Sequence, residues 1–370
     1  MILFAYILLI IYIVILIVFL WAIIKQPILK IETNIKNFQK FSIIIPFKNE
    51  AKNLPALLQS LKQIDYPKTN FEIIFIDDES TDNGKEIIEK YFKILPIKLI
   101  ENIRKSNSPK KDALETGIKQ AEYNFIITTD ADCIFPNKWL IAYNQLIQEK
   151  KPKMIIAPVT YIDKNDFLTR FQTIEFLSLQ GFTKGSCELG FPFLSNGANL
   201  GFDKKTFFKL NAYEGNNNLA SGDDTFLLEK FRKNFPEKIK FLNTPSAIVK
   251  TQAQKNLKSI KNQKIRWATK TKKNFLDTSF RFGLLIILIN YTTILLWILI
   301  FQYKLFSVTF IILKTFIDII FVLIINKFYQ NKIKNLSLYL SAILYPFYIF
   351  WIVLWSLSGK FEWKDNKYNI

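Results

Sequence analysis

The sequence predicts an α/β protein, a mostly parallel sheet flanked by helices, joined to transmembrane helices, one N-terminal and three C-terminal. Three observations carry this. Between about residues 41 and 130, short β-branched runs alternate with amphipathic helical stretches, the pattern that builds parallel sheets. Residues 2–24 hold no charge, and three more apolar stretches close the chain at 282–301, 305–325 and 336–357. Each of these is long enough to cross a hydrocarbon core of roughly 30 Å. The 370 residues are 50% hydrophobic with two cysteines, too apolar for a disordered chain and too cysteine-poor for a disulfide scaffold.

The elements follow in order. The first apolar stretch is too long for a signal peptide, lacks a basic start and is followed by no small-residue cleavage site, so it is expected to stay as a span. Phe41-Ser42-Ile43-Ile44-Ile45 reads as a strand ended by Pro46. Asn53 is placed to cap a helix bearing Leu57, Leu58 and Leu61. A strand over 71–76 runs into an acidic turn, then a helix with Ile87, Ile88 and Tyr91. After a strand at 97–100, Ser108-Pro109 reads as a cap with proline at the first helical position, leading a helix with Ala113, Leu114, Ile118 and Ala121. The fourth strand covers 125–129. Further on, Phe167, Phe171, Ile174 and Leu177 share one helical face, which reads as core packing or as a second helix at the membrane surface. Leu257, Ile260, Ile265 and Ala268 alternate with Lys255, Lys258, Lys261 and Lys264, as in a helix lying at a membrane surface.

The span at 305–325 carries Lys314 and Asp318 four residues apart. Charges in hydrocarbon are costly, so a mutually neutralising pair between packed helices is expected, with no other polar residue joining it. Basic residues flank three of the span ends: Lys25 and Lys30; Lys270, Lys272, Lys273 and Arg281; and Lys327, Lys332 and Lys334. By the positive-inside rule, residues from about 25 to 281 are expected in the cytoplasm and both termini outside. That makes the chain an integral protein of a bacterial plasma membrane, with Cys133 and Cys187 as free thiols. The expected layout is a span at 1–24, a linker at 25–40, the α/β domain at 41–250, an interfacial segment at 251–281, three spans within 282–358 and a tail at 359–370.

The chain has no histidine, which excludes Ser-His-Asp triads, Cys-His proteases and histidine-ligated zinc. Any metal must rest on carboxylates, favouring Mg²⁺ or Mn²⁺. The net charge of +19 comes with a general richness in Lys, Ile, Asn and Phe and with no recognisable nucleic-acid module, so no nucleic-acid partner is expected. Neither a dinucleotide fingerprint nor a P-loop occurs.

What remains is acidic. The second strand ends in Asp77-Asp78-Glu79-Ser80-Thr81-Asp82 and the fourth in Asp130-Ala131-Asp132. Ligands of such sheets bind at the carboxyl ends of strands. Like charges gathered there repel unless a cation neutralises them. Asp130 and Asp132 can present oxygens to one ion, while Asp77 and Asp78 could accept hydrogen bonds from a nucleoside. A third pair, in Ser221-Gly222-Asp223-Asp224-Thr225, opens a helix with Phe226, Leu227 and Phe231. It reads either as a helix cap or as part of a site.

Five motifs in order carry a resemblance: Ile43-Ile44-Ile45-Pro46-Phe47-Lys48-Asn49-Glu50; Asp77-Asp78-Glu79-Ser80-Thr81-Asp82; Lys111-Asp112-Ala113-Leu114 with Gly117-Ile118; Asp130-Ala131-Asp132; and Gly222-Asp223-Asp224. From about residue 41 to 270 the chain resembles the family 2 glycosyltransferases. The resemblance implies a GT-A fold and inverting transfer from a nucleotide-diphosphate sugar, a UDP-sugar first among them. It places Pro46, Asn49, Glu50, Asp77, Asp78 and Ser80 in the nucleoside pocket and Lys111 near the base or phosphates. It sets Asp130 on the ribose and beside the metal, and Asp132 on the metal itself. Asp224 matches the family's catalytic base. Asp223 stands where glutamate is usual, so the base stays open between Asp223 and Asp224. Gln263-Lys264-Ile265-Arg266-Trp267 fits a Gln-x-x-Arg-Trp motif like that of membrane polysaccharide synthases. It would put Gln263, Arg266 and Trp267 at the acceptor and diphosphate. The acceptor would be a lipid-linked or polysaccharide glycan, with single transfer and processive synthesis both open. A nucleotidyltransferase or a non-catalytic nucleotide-sugar-binding membrane protein are the readings from other classes.

Overall fold

The computed structural model describes residues 2–32, 35, 37–214, 222–269, 278–357, 360–363 and 366–369. Ser221, Lys270, Lys272 and Lys273 lie outside the described residues. The chain divides into two compact units. One holds Gln26–Ile162 and Ser186–Gln252, the other Met1–Lys25, Asp163–Gly185 and Ala253–Ile370.

The first unit is built on a seven-stranded sheet in the order β3-β2-β1-β4-β7-β5-β8. The strands are β1 (Phe41–Phe47), β2 (Phe71–Asp77), β3 (Ile97–Glu101), β4 (Phe125–Thr128), β5 (Met154–Ile156), β7 (Leu200–Asp203) and β8 (Ile239–Phe241). A side pair joins β6 (Val159–Tyr161) to β9 (Val249–Thr251). β1, β2, β3 and β4 run parallel, whereas β7 is antiparallel to both β4 and β5. The central strands are covered on both faces, which explains why β1 and β2 read as unbroken apolar runs. Helices α2 (Leu54–Lys62), α3 (Gly84–Glu89), α4 (Pro109–Gln120), α5 (Trp139–Lys150), α7 (Lys204–Lys209) and α8 (Asp223–Asn234) complete the unit. Ile44, Ile74, Ile76, Leu114, Phe202 and Phe231 share one core cluster.

Two local expectations change. β1 does not end at Pro46 but continues to Phe47. Proline lacks a donor, and β4 pairs with β1 only as far as Ile44, so nothing on that side of Pro46 asks for one. Asn53 does precede α2, but its side chain caps no helix amide. It donates instead to Glu50 Oε2 at 2.6 Å. Ser108 likewise stands at the N-cap of α4 with no capping bond, and Pro109 opens the helix as expected.

At the opposite edge from the strand exits, Glu72 accepts from Ser42 Oγ at 2.6 Å and from the Glu122 amide at 2.6 Å, and pairs with Lys98 Nζ at 2.7 Å. Burial opposes its charge, yet Lys98, Ser42 and the amide together hold its pKa below the usual value. A carboxyl whose folded pKa is lowered adds stability that is complete above the unfolded pKa and fades as pH falls through the folded one. Glu72→Gln is therefore expected to lower the melting temperature near pH 7, with the gap to wild type closing towards pH 3. Thermal unfolding at the two pH values checks it.

The second unit is helical. It comprises α1 (Ile2–Lys25), α6 (Phe167–Glu188) as far as Gly185, α9 (Leu257–Thr269), α10 (Thr278–Ile298), α11 (Lys304–Tyr329), α12 (Asn335–Leu357) and strands β10 (Lys360–Trp363) and β11 (Asn366–Asn369). Helices α1, α10, α11 and α12 are long and apolar enough to cross a membrane. The apolar face of α6 finds its partners here rather than in the sheet core. Phe171 meets Tyr348 edge-on at 5.0 Å, Phe182 stacks on Phe321 at 4.9 Å, and Gln180 accepts from Tyr329 Oη at 2.8 Å. Lys314 and Asp318 do pair, at 2.8 Å, but they are not alone. Tyr12 Oη donates to Asp318 at 2.6 Å and Lys314 Nζ to Asn290 Oδ1 at 2.9 Å, so the pair ties α1, α10 and α11 together. Both cysteines are free thiols.

Candidate active site

β1, β2, β3 and β4 run in one direction, so their exits share an edge. Neighbouring strands lie about 4.8 Å apart, which puts the ends of β2 and β4, with β1 between them, roughly 10 Å from each other. Asp77 and Asp78 leave β2 there, and Asp130 and Asp132 follow β4.

The loops after β1 and β2 lock into each other. The Asn49 amide donates to Ser80 Oγ at 3.1 Å, the Thr81 amide to Asn49 Oδ1 at 2.8 Å, and the Ala51 amide to Asp82 Oδ2 at 2.8 Å. Asn49 (φ 55°) and Glu79 (φ 60°) both take the left-handed conformation, uncommon for residues with a side chain and tolerated best by Asn and Asp. Asp77 is 1% exposed, and its carboxylate takes the Ser80 amide at 3.1 Å and Lys85 Nζ at 3.0 Å. Hydrogen bonds to Glu101 and then Asp77 raise the pKa of Lys85, which keeps it charged. Asp78 accepts from Asn102 Nδ2 at 2.6 Å and from Arg104 Nε at 2.8 Å, while Arg104 Nη1 also reaches Glu79 at 2.8 Å.

A second cluster joins three segments distant in sequence. Lys110 Nζ stands 2.7 Å from Asp130 Oδ1 and 3.6 Å from Asp223 Oδ2. Both α8 carboxylates are buried, Asp223 at 7% and Asp224 at 8% exposure. The residue before them, Gly222, has φ 91°, and a Cβ there would stand 2.7 Å from the Phe226 ring, so glycine is required. Gly222 therefore holds the N-cap, and Asp223 and Asp224 open the first turn, where the helix dipole favours negative charge. Asp224 Oδ1 accepts from the Thr225 amide at 2.7 Å. Burial, reinforced by Asp223, Asp224 and Glu115, raises the pKa of Tyr213, so its hydroxyl stays protonated beside the pair.

The chain entering β7 walls this cluster. Thr128 Oγ1 donates to the Gly197 carbonyl at 3.1 Å and Thr129 Oγ1 to the Ala198 carbonyl at 2.8 Å. A Cβ on Gly197 would stand 3.0 Å from Asp223 Oδ2. Behind it, Asn199 Oδ1 accepts from Trp139 Nε1 at 3.0 Å and Tyr143 Oη at 2.9 Å, and its Nδ2 donates to the Pro158 and Ala247 carbonyls, each at 2.9 Å.

Among the described residues, no group of three or more acidic or thiol side chains is disposed to hold a metal. Asp130, 2.7 Å from Lys110, and the half-buried Asp132 are the carboxylates that follow β4. One or two carboxylates with phosphate oxygens suffice for Mg²⁺, so the donor set fits an ion that arrives with a diphosphate. Cys133 beside Asp132 is fully buried. Burial, with the charges of Asp132 and Asp130, raises its pKa and leaves the thiol inert.

Lys111 is buried, with its ammonium 4.9 Å from the centre of the Phe226 ring. Its neighbour Lys110 makes the carboxylate contacts. Sequence reading missed Lys110, Asn102, Arg104 and Tyr213. One signal was available: Asn102 and Arg104 directly follow β3 and so leave the sheet at the edge where Asp78 lies. Pro46 and Glu50 are half-buried on the same edge. Gln263, Arg266 and Trp267 all lie on α9 of the helical unit.

A family model described as "Glycosyl transferase family 2" matches residues 42–207, and one described as "Glycosyl transferase family group 2" matches residues 125–357. The chain is 41% identical over 93 residues to the poly(ribitol-phosphate) β-N-acetylglucosaminyltransferase TarS of Staphylococcus aureus, covering 25% of this chain and 16% of TarS. It is 30% identical over 165 residues to the poly-β-1,6-N-acetyl-D-glucosamine synthase of Staphylococcus epidermidis, covering 44% of this chain and 38% of that one. The chain thus spans well under half the length of these two relatives. Among solved structures, the mannosyltransferase PcManGT from Pyrobaculum calidifontis, in complex with GDP-Man and Mn²⁺, shares the fold. The TM-score is 0.58 at 14% identity, over 95% of each chain.

Proposed function

The chain belongs to glycosyl transferase family group 2, and on that premise we propose that it is a membrane-bound inverting glycosyltransferase acting on a nucleotide-diphosphate sugar. The observation that supports the reading best is the junction of Lys110 with Asp130 and Asp223, which gathers residues from α4, the exit of β4 and the start of α8. The relatives' names make N-acetylglucosamine the first sugar to test and a cell-envelope polymer the first acceptor class, and the sequence resemblance makes UDP the first nucleotide. The four long apolar helices suit an acceptor that is lipid-linked or leaves through a bacterial plasma membrane, with the sheet unit on the cytoplasmic side.

In this reading Asp78, with Asn102 and Arg104 behind it, receives the nucleoside, together with Asn49 and Ser80. Asp224 takes the proton from an acceptor hydroxyl while that oxygen attacks the anomeric carbon opposite the departing nucleoside diphosphate. One displacement inverts configuration, through a transition state with oxocarbenium character as in glycoside hydrolysis. Asp224 is the first assignment because it matches the aspartate of the family motif, and Asp223, which lies 3.6 Å from Lys110 Nζ, is the alternative. Mg²⁺ or Mn²⁺ on Asp132 would neutralise charge on the leaving diphosphate. Arg266 joins the proposal through the Gln-x-x-Arg-Trp match, as do Gln263 and Trp267.

The test is donor binding and turnover in detergent-solubilised protein. Asp132→Ala is expected to abolish the part of nucleotide affinity that depends on the divalent ion. Calorimetry with UDP and UDP-N-acetylglucosamine, in Mg²⁺ and in EDTA, checks it, and unchanged affinity in Mg²⁺ would remove the metal role. Sizing the labelled product made by native membranes separates single transfer from processive synthesis.

A further inference from the structure

Between Gln263 and Arg266 on α9 sits Lys264, which the motif leaves unspecified. It is 5% exposed, and its ammonium lies 2.7 Å from Glu175 Oε1 on α6. The other oxygen of Glu175 accepts from Tyr348 Oη of α12 at 3.2 Å. The same ammonium stands 4.1 Å from the centre of the Trp267 ring. Phe176, next to Glu175 on α6, lies 6.5 Å from Trp267, centre to centre. Trp267 is thus met by a cation from its own helix and a ring from α6, and the cation is itself anchored on α6. All these residues belong to the helical unit.

Stability alone does not account for this arrangement. Replacing a buried ion pair by apolar side chains of similar volume is often neutral or stabilising. Burial lowers the pKa of Lys264 against the pull of Glu175, so a charge here opposes desolvation. What an ion pair adds over an apolar contact is direction. The Glu175 oxygen fixes where the ammonium sits, and the ammonium fixes which face of the indole is covered. A cation over a desolvated tryptophan face is an oriented attraction.

We propose that Lys264 and Glu175 are a positioning pair that sets the orientation of Trp267 for contact with the acceptor. The proposal rests on the reading that Trp267 packs beside the acceptor. Neither residue of the pair touches a reacting atom, and both act through the indole.

The test starts from fluorescence that belongs to Trp267, obtained by subtracting the spectrum of a Trp267→Phe protein. Lys264→Met keeps the length of the stem and removes the charge. It is expected to shift that emission and increase its quenching by acrylamide, whereas Lys264→Arg keeps both near wild type. In native membranes, Lys264→Met is expected to lower incorporation of labelled sugar into acceptor roughly tenfold to a hundredfold, the range by which slight misplacement slows catalysis. UDP-sugar hydrolysis without acceptor stays at the wild-type value in the folded protein, while the melting temperature falls because Glu175 is left as an unpaired buried carboxylate. A Lys264→Met, Glu175→Gln double variant removes the stranded carboxylate and keeps the measurement open if the single variant misfolds. The proposal is overturned if Trp267 emission is unchanged in the folded Met variants, or if hydrolysis and incorporation fall in parallel. Wild-type incorporation by Trp267→Phe would instead overturn the acceptor reading beneath it.

Discussion

Asp224→Asn is expected to cut sugar transfer about a thousandfold, equivalent to about 4 kcal/mol of transition-state stabilisation, while donor affinity stays near wild type. Asparagine preserves the shape of the side chain. Its carbonyl oxygen can still accept from the Thr225 amide, which holds Asp224 in place. The start of α8 should therefore keep this bond and lose the ability to take a proton. Asp223→Asn should behave differently. It takes one carboxylate away from Lys110 and perturbs Asp130, so donor binding and turnover should both suffer, each less steeply. Initial rates for both variants, with donor titrations by calorimetry, distinguish the roles. If Asp223→Asn shows the thousandfold kinetic defect and Asp224→Asn does not, the base is Asp223.

The second large effect is on folding. Asn199→Ala should destabilise the protein by on the order of 4 kcal/mol or more, because four partners lose their bond together. Asn199 has no exposed surface and uses both ends of its amide, accepting from Trp139 and Tyr143 and donating to the carbonyls of Pro158 and Ala247. Each stranded group would cost about 1–3 kcal/mol in a dry interior. Asn199→Asp gives no relief, since a carboxylate keeps the two acceptors, loses both donors and adds a buried charge. Thermal unfolding of the detergent-solubilised protein checks the effect. A loss below about 1 kcal/mol would mean that water refills the space and bonds to the four groups.

Local chemistry made part of this legible. β-branched runs marked β1 to β4 because strands covered on both faces need no polar alternation. The acidic turns stood out because the polypeptide leaves parallel strands at one edge, and carboxylates gathered there need partners. Other features depend on pairings that no window of sequence contains. Leu200-Gly201-Phe202-Asp203 is short and contains glycine, and nothing in it announces an antiparallel strand between β4 and β5. The apolar face of α6 was visible, but 3.6-residue periodicity says only that a face is covered, not whether a sheet or membrane-type helices cover it. Lys110 and Lys111 are adjacent, and only the fold decides that the first turns to the carboxylates and the second to an aromatic ring. Tyr12 and Asn290 could not be assigned to Lys314 and Asp318 for the same reason.

The reversed strand β7 bears on the order in which the molecule is made. Thr128 meets Gly197 across 69 residues of chain, and Lys110 meets Asp223 across a still longer interval. Closing such loops carries an entropic cost that must be met before any contact repays it, and topologies rich in distant pairings fold slowly. A growing polypeptide that has passed Asp132 already owns Asp77, Asp78, Asp130 and Asp132 but not Asp223 or Asp224. The ribosome must deliver α8 before Asp223 can reach Lys110. The nascent protein therefore passes through synthesis with its chemistry unassembled, and competence arrives with the last long-range closure.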